Sequence, residues 1–178
     1  MKFMVVEDFF DGFVNLEQSF KDIKTYDFQS HPEQQKPSKE VENKSNSLWP
    51  GYRSEELKKI NPFLVALTVN TYHQKFGNFI PYYEKFNVYT HFRYEKDNAG
   101  EFAHYDSPDS NWSMLVYLSK TNLESGTRLY DKNKNTIADI KFVQNRAFIF
   151  DSNYLHSAVN NHGTNIDNGR LTLNLFWR

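Results

Sequence analysis

From Tyr82 onward the chain is patterned in twos. Phe86, Val88, Thr90 and Phe92 alternate with Asn87, Tyr89, His91 and Arg93. Successive strand side chains point to opposite faces of a sheet, so this run reads as a strand with one face buried. Residues 112–119, Trp-Ser-Met-Leu-Val-Tyr-Leu-Ser, read as a second strand. Shorter strands are expected at 128–131, 137–142, 147–150, 157–159 and 171–177, with turn-rich pieces at 132–135, 144–145 and 160–169 between them. Several short strands at such spacing suggest a sandwich or barrel in place of βαβ units. The 16 Phe and 11 Tyr favour strands too, and more than half of the aromatic residues fall from Tyr82 on. There is no internal repeat and no glycine-rich phosphate loop.

The first 81 residues read differently, as a helical support layer. Phe3–Val6 is a short strand, followed by an acidic-aromatic turn. Phe13, Leu16, Phe20 and Ile23 recur at helical spacing and predict an amphipathic helix over 13–24. Residues 29–47 hold almost no apolar side chain apart from Val41 and form a long polar loop, a surface insertion or a lid. Order restarts at Trp49-Pro-Gly-Tyr-Arg-Ser54, where Ser54 offers a helix cap leading into Leu57 and Ile60. Asn61-Pro62 starts another helix, with Asn as N-cap and Pro at the first helical position. Phe63, Leu64, Leu67 and residues 68–72 would bury one face of it until Gly77.

A length of 178 residues suits one domain with a proper core. The charge is balanced, 21 basic against 22 acidic residues, so nucleic acid or an anionic membrane is not indicated as a partner. The N-terminal apolar run is short and cut off by Glu7 and Asp8, unlike a signal peptide, and no segment approaches the ~18 apolar residues of a membrane span. A cytoplasmic protein is the expectation. Cysteine is absent, which removes disulfides, thiolate-bound zinc, iron–sulfur clusters and a cysteine nucleophile.

Any metal must therefore sit on His and carboxylate ligands. His104 and Asp106 stand two positions apart, a spacing that points both to the same face of a strand end. His156 follows the apolar strand at 147–150, and Arg170 opens the final one. Two imidazoles and one carboxylate with open positions remaining is the arrangement of non-haem Fe(II) oxygenases. His73, His91 and His162 read as structural or surface residues. Trp112, Tyr105 and Tyr117 are candidates to line a substrate groove, Asp109 to support a ligand, and Tyr52 or Arg53 to reach the site mouth.

Across residues 82–178 the sequence resembles the Fe(II)- and 2-oxoglutarate-dependent dioxygenases, specifically the prolyl-4-hydroxylase-like branch. The features are Arg93-Tyr94, then a Gly, then Phe102-Ala-His104-Tyr-Asp106. Next come Leu115-Val-Tyr-Leu-Ser119 with Glu124-Ser-Gly126-Thr-Arg-Leu-Tyr130, then Phe148-Ile-Phe150 before His156, and Gly169-Arg170-Leu-Thr-Leu. The resemblance implies a mainly β protein: a double-stranded β-helix (jelly-roll) core with N-terminal helices packed on the major sheet. It implies that His104, Asp106 and His156 bind Fe(II), and that 2-oxoglutarate and O2 are used, with ascorbate an optional addition. Arg170 would clamp the distal carboxylate of 2-oxoglutarate through two parallel hydrogen bonds, with Tyr94 adding a third.

The implied reaction hydroxylates a small molecule or peptide and releases succinate and CO2. A prolyl residue is the leading substrate on analogy alone. The chain departs from the pattern in three places. The collagen-type enzymes carry Lys where Arg170 stands, the family's Gly-Gly-x-Thr becomes Ser125-Gly126-Thr127-Arg128, and the loop before Arg170 is long. Arg178 or Arg128 is the fallback clamp, and Arg128 also a substrate contact. Asp106 leaves no place for a halide, against a halogenase of the same fold. The competing classes are a cupin-like metalloenzyme without an oxo acid and a non-catalytic jelly-roll binding module.

Overall fold

The computed structural model describes residues 3–27, 51–77, 83–91, 103–106, 110–159 and 163–178. The polar loop at 29–47, Tyr94 and Asp109 lie outside the described residues. Among the described residues, antiparallel strands form two sheets. The larger runs β1-β8-β5-β10-β4-β3-β2, from β1 (Phe3–Val6), β8 (Ala147–Asp151), β5 (Trp112–Tyr117), β10 (Arg170–Trp177), β4 (Tyr83–His91), β3 (Tyr52–Ser54) and β2 (Thr25–Asp27). The smaller runs β7-β6-β9, from β7 (Thr136–Phe142), β6 (Asn122–Tyr130) and β9 (Leu155–Val159). This is the expected jelly-roll arrangement.

Alternation gives the major sheet two faces. Phe86, Val88, Met114, Val116, Ile149, Leu173 and Leu175 point one way, into a core shared with Phe9, Phe20, Leu64 and Tyr72 from the N-terminal half. Each such large apolar side chain contributes about 1.5–3 kcal/mol when fully buried. Helix α3 (Pro62–Phe76) packs on this outer face. Asn61 caps it by accepting from the Leu64 amide at 3.2 Å, Pro62 fills its first turn, and Gly77 ends it at φ 67. Its buried stripe is Leu64, Val65, Thr68, Thr71 and Tyr72, and Tyr72 meets Trp177 edge-on at 5.4 Å. Phe63, expected in that stripe, is exposed because it falls on the other side of the helix.

Two local expectations change. The helix over 13–24 is a 3-10 turn (Phe13–Asn15) followed by α1 (Glu17–Lys21). Its apolar face is as the spacing implied, Phe13 and Phe20 buried with Leu16 and Ile23 beside them, but the chain leaves the helix early to enter β2. Ser54 does not cap α2 (Leu57–Ile60). It closes β3, where its hydroxyl accepts from the Val88 amide at 3.0 Å, while the Glu56 carboxylate accepts from the Phe86 amide at 2.7 Å. The first 81 residues thus supply three strands of the major sheet as well as helices.

The opposite, inner face of the major sheet carries Arg53, Asn87, Tyr89, Ser113, Leu115, Tyr117, Phe148, Phe150, Arg170, Thr172 and Asn174, by alternation and register. Phe148 and Phe150 pack there against Leu129 of the minor sheet. The candidate site lies between the sheets.

Candidate metal centre

His156 sits second in β9, opposite Leu129 of β6. The segment carrying His104 and Asp106 joins the free edge of β9 through a two-way backbone bridge, His104 amide to His156 carbonyl and the reverse, both 2.9 Å. Because residues i and i+2 share a face, Asp106 follows His104 towards the same point. The ligand atoms of His104, Asp106 and His156 all lie within 4.8 Å of one another. His104 Nε2 is 3.8 Å from one Asp106 oxygen, and His156 Nε2 is 3.6 Å from the other.

The surroundings orient these groups. His156 Nδ1 lies 3.0 Å from the Tyr154 carbonyl. A carbonyl only accepts, so Nδ1 carries the proton and Nε2 keeps its lone pair for a metal. Phe150 meets the His156 ring edge-on at 4.7 Å. The buried Ser113 hydroxyl donates to Asp106 Oδ2 at 2.5 Å, and Ser152 stands 2.9 Å behind it. With its proton on Asp106, Ser113 takes the Ser152 proton, and the carboxylate is held by a two-hydroxyl relay. The sequence gives no local signal for Ser113 or Ser152, since each meets Asp106 or its partner only through the sheet.

Arg170 occupies the inner face beyond the triad, 4% exposed. Its guanidinium donates to Thr127 Oγ1 at 2.7 Å and lies over the Tyr117 and Phe142 rings, 5.4 and 5.5 Å from their centroids. Tyr117 donates to the same Thr127 oxygen at 2.8 Å. With two donors pointing at it, the Thr127 hydroxyl directs its own proton elsewhere. Among the described residues no carboxylate pairs with Arg170, and its Nε is buried without a hydrogen-bond partner. Burial lowers its pKa, opposed by the neighbouring Tyr117, and burial raises that of Tyr117, opposed chiefly by Arg170. This desolvated cation is held by hydroxyls and ring faces and has no counter-anion among the described residues.

The substrate candidates separate. Tyr105, between His104 and Asp106, is 48% exposed beside the site. Trp112 is not on the inner face. It alternates with Ser113 and stacks at 6.4 Å on Trp177, beneath the helices. Arg128 likewise alternates with Thr127 and Leu129, and its guanidinium turns outward to Asp139 at 3.0 Å. It is therefore placed neither to clamp a cosubstrate beside His156 nor to touch a substrate there. Arg178 is exposed at the end of the chain. Arg170 and Arg53 both lie on the inner face, Arg170 against Thr127 and Arg53 close enough to Asp106 to feel its charge. Gly126 is required by close approach: a Cβ there would come 2.2 Å from the Ile140 carbonyl oxygen, so β6 and β7 could not hold Thr127 where it is.

The jelly-roll fold of this chain is shared by solved structures of 2-oxoglutarate- and Fe(II)-dependent oxygenases. The chain superposes on the non-heme alpha-ketoglutarate-dependent epimerase SnoN from nogalamycin biosynthesis with a TM-score of 0.65 at 11% identity, over 99% of this chain and 77% of that one. A Trichoplax adhaerens prolyl hydroxylase in complex with a hypoxia inducible factor peptide gives 0.60 at 14%, over 98% and 82%. A Pseudomonas putida prolyl-4-hydroxylase gives 0.53 at 15%, over 99% and 92%. No protein-family model and no curated protein matches the sequence.

The residues present fit the groups that this fold implies. Two imidazole nitrogens and a carboxylate suit Fe(II). The buried Arg170, with its orphaned Nε and the adjacent Thr127 hydroxyl, suits the distal carboxylate of an oxo acid.

Proposed function

We propose that the protein is an Fe(II)- and 2-oxoglutarate-dependent dioxygenase that hydroxylates a small-molecule or peptide substrate and releases succinate and CO2. The observation that carries this reading is the buried Arg170, without a carboxylate partner among the described residues, on the inner face between the sheets that also hold the His104–Asp106–His156 cluster. A metal site alone has no use for a desolvated guanidinium nearby. One bounded by such a cation is built for an anionic cosubstrate.

When bound, the iron would supply oxygen activation coupled to oxidative decarboxylation of the oxo acid. His104, Asp106 and His156 would hold it, with the Tyr154 carbonyl fixing the His156 tautomer and Ser113 fixing the carboxylate. Arg170 and the Thr127 proton would orient 2-oxoglutarate through its far end, with Tyr94 a further contact. Phe148, Phe150 and Leu129 would keep bulk water from the inner face. A prolyl residue is the first substrate to test, since two of the structural neighbours are named prolyl hydroxylases. Tyr105, exposed at the rim, is the candidate substrate contact.

The test is succinate formation from 2-oxoglutarate under air with Fe(II). Wild type should form succinate, and His104→Ala and Asp106→Ala should not, while both keep the wild-type circular dichroism spectrum. Metal-dependent turnover of a substrate without succinate would point to a cupin-like enzyme. Equal activity in both variants would refute the metal assignment.

A further inference from the structure

Two of the three candidate metal ligands are oriented from different sheets, yet one turn supports both. The Asp106 carboxylate is held from the major sheet by Ser113 of β5. His156 belongs to β9 of the minor sheet. Residues 151–154 carry the chain from the end of β8 in the major sheet to β9 in the minor one. On the way they place the Ser152 hydroxyl 2.9 Å from that of Ser113 and the Tyr154 carbonyl 3.0 Å from His156 Nδ1.

The turn is closed by its first residue. The Asp151 carbonyl accepts from the Tyr154 amide at 3.0 Å. Asp151 Oδ1 accepts from the Asn153 amide at 3.0 Å and from the Asn153 side chain at 2.9 Å. A carboxylate that accepts from the amide two residues on fixes such a turn locally. Two longer-range anchors hold it in place. The Ser152 amide donates to the Asn111 carbonyl at 3.0 Å, and Tyr154 packs against the cluster of Leu129, Phe148 and Phe150. Ser113 and Ser152 are 0% and 3% exposed. Ser113 has one proton and the Asp106 carboxylate accepts it, so Ser152 is the donor between the two hydroxyls. That donor fixes the Ser113 rotor and polarises its bond to Asp106.

Resting on the reading of His104, Asp106 and His156 as an iron site, we infer that Ser152 and Asp151 are positioning residues for the metal centre. Ser152 acts on Asp106 through Ser113. Asp151 acts on both Asp106 and His156 through the turn that it closes. Neither side chain belongs to the ligand cluster. The relative placement of a carboxylate and an imidazole, held from opposite sheets, is then set by four consecutive residues.

The test is calorimetric titration of the metal-free protein with Mn(II), in variants that keep the wild-type circular dichroism spectrum. Ser152→Ala should weaken binding about three- to tenfold, less than Ser113→Ala because it lies one hydrogen bond further from the ligand. In a Ser113→Ala background, Ser152→Ala should change the affinity by less than about twofold, since the route to Asp106 is already cut. Asp151→Ala should weaken binding about tenfold or more, and should still weaken it in the Ser113→Ala background, because the branch from Tyr154 to His156 remains. Asp151→Asn keeps the Oδ1 acceptor and should stay within about twofold of wild type. Wild-type affinity in Ser152→Ala, equal weakening by that change in both backgrounds, or an Asp151→Asn variant as weak as Asp151→Ala would overturn this inference alone. If Asp151→Ala does not fold, the Ser113–Ser152 cycle decides. Failure of the wild type to bind Mn(II) would overturn the metal assignment beneath it.

Discussion

Replacing Arg170 with Met separates a structural arginine from a ligand clamp. The guanidinium is 4% exposed, donates to the Thr127 hydroxyl and has no carboxylate partner among the described residues. Arg170→Met loses that hydrogen bond, worth about 1.5–3 kcal/mol for a charged donor. It also removes a buried charge whose desolvation costs several kcal/mol. The metal-loaded variant without cosubstrate should therefore unfold no more than about 5 °C below wild type, or above it. The cosubstrate response should differ sharply. At 100 times its dissociation constant, 2-oxoglutarate stabilises wild type by about 2.7 kcal/mol, or roughly 5–10 °C at this chain length. Two charge-assisted bonds lost at about 1.5–3 kcal/mol each weaken binding by about 10²–10⁴-fold, so at the same concentration the variant should shift by no more than about 2 °C. Differential scanning calorimetry with and without 2-oxoglutarate reads both. A variant that unfolds 15 °C lower yet keeps the full ligand shift would refute the reasoning.

Other perturbations test neighbouring parts. Ser113→Ala removes the hydroxyl on Asp106 and should weaken Mn(II) binding by about 10–100-fold with little change in metal-free stability, read by calorimetric titration. Gly126→Ala drives a methyl into the Ile140 carbonyl. It should cost about 1–3 kcal/mol in a urea unfolding experiment. Burial raises the Tyr117 pKa above the usual 10. In alkali the unfolded chain then loses a proton that the folded chain keeps, so stability is fully present below pH 10 and falls as pH rises through the folded value. Tyr117→Phe should lessen that alkaline slope without abolishing it, because burial raises the Tyr72 pKa as well. An identical slope in urea midpoints above pH 10 would contradict the assignment.

Sequence patterning reached the site where one strand's alternation governs and missed it where two elements meet. His104 and Asp106 were legible because their spacing is local, and Arg170 because it opens a strand whose period is clear. The same period, taken without its phase, left Trp112 and Arg128 as substrate candidates. Trp112 shares the face of Met114 and Val116, and Arg128 lies opposite Thr127. Ser54 reads as a helix cap because its neighbours suit one, but the Val88 amide, 34 residues away, takes its hydroxyl. Ser113 and Ser152 acquire meaning only from strand register, which long-range pairing sets.

The central claim is that one site binds iron and 2-oxoglutarate together. Anaerobic titration of the metal-free protein with Fe(II), then 2-oxoglutarate, followed by visible absorption, tests it most directly. The expected result is a weak charge-transfer band that needs both additions, saturates at one equivalent of iron, and is lost in His156→Ala. Iron binding without the band, or a band that persists in His156→Ala, would contradict it.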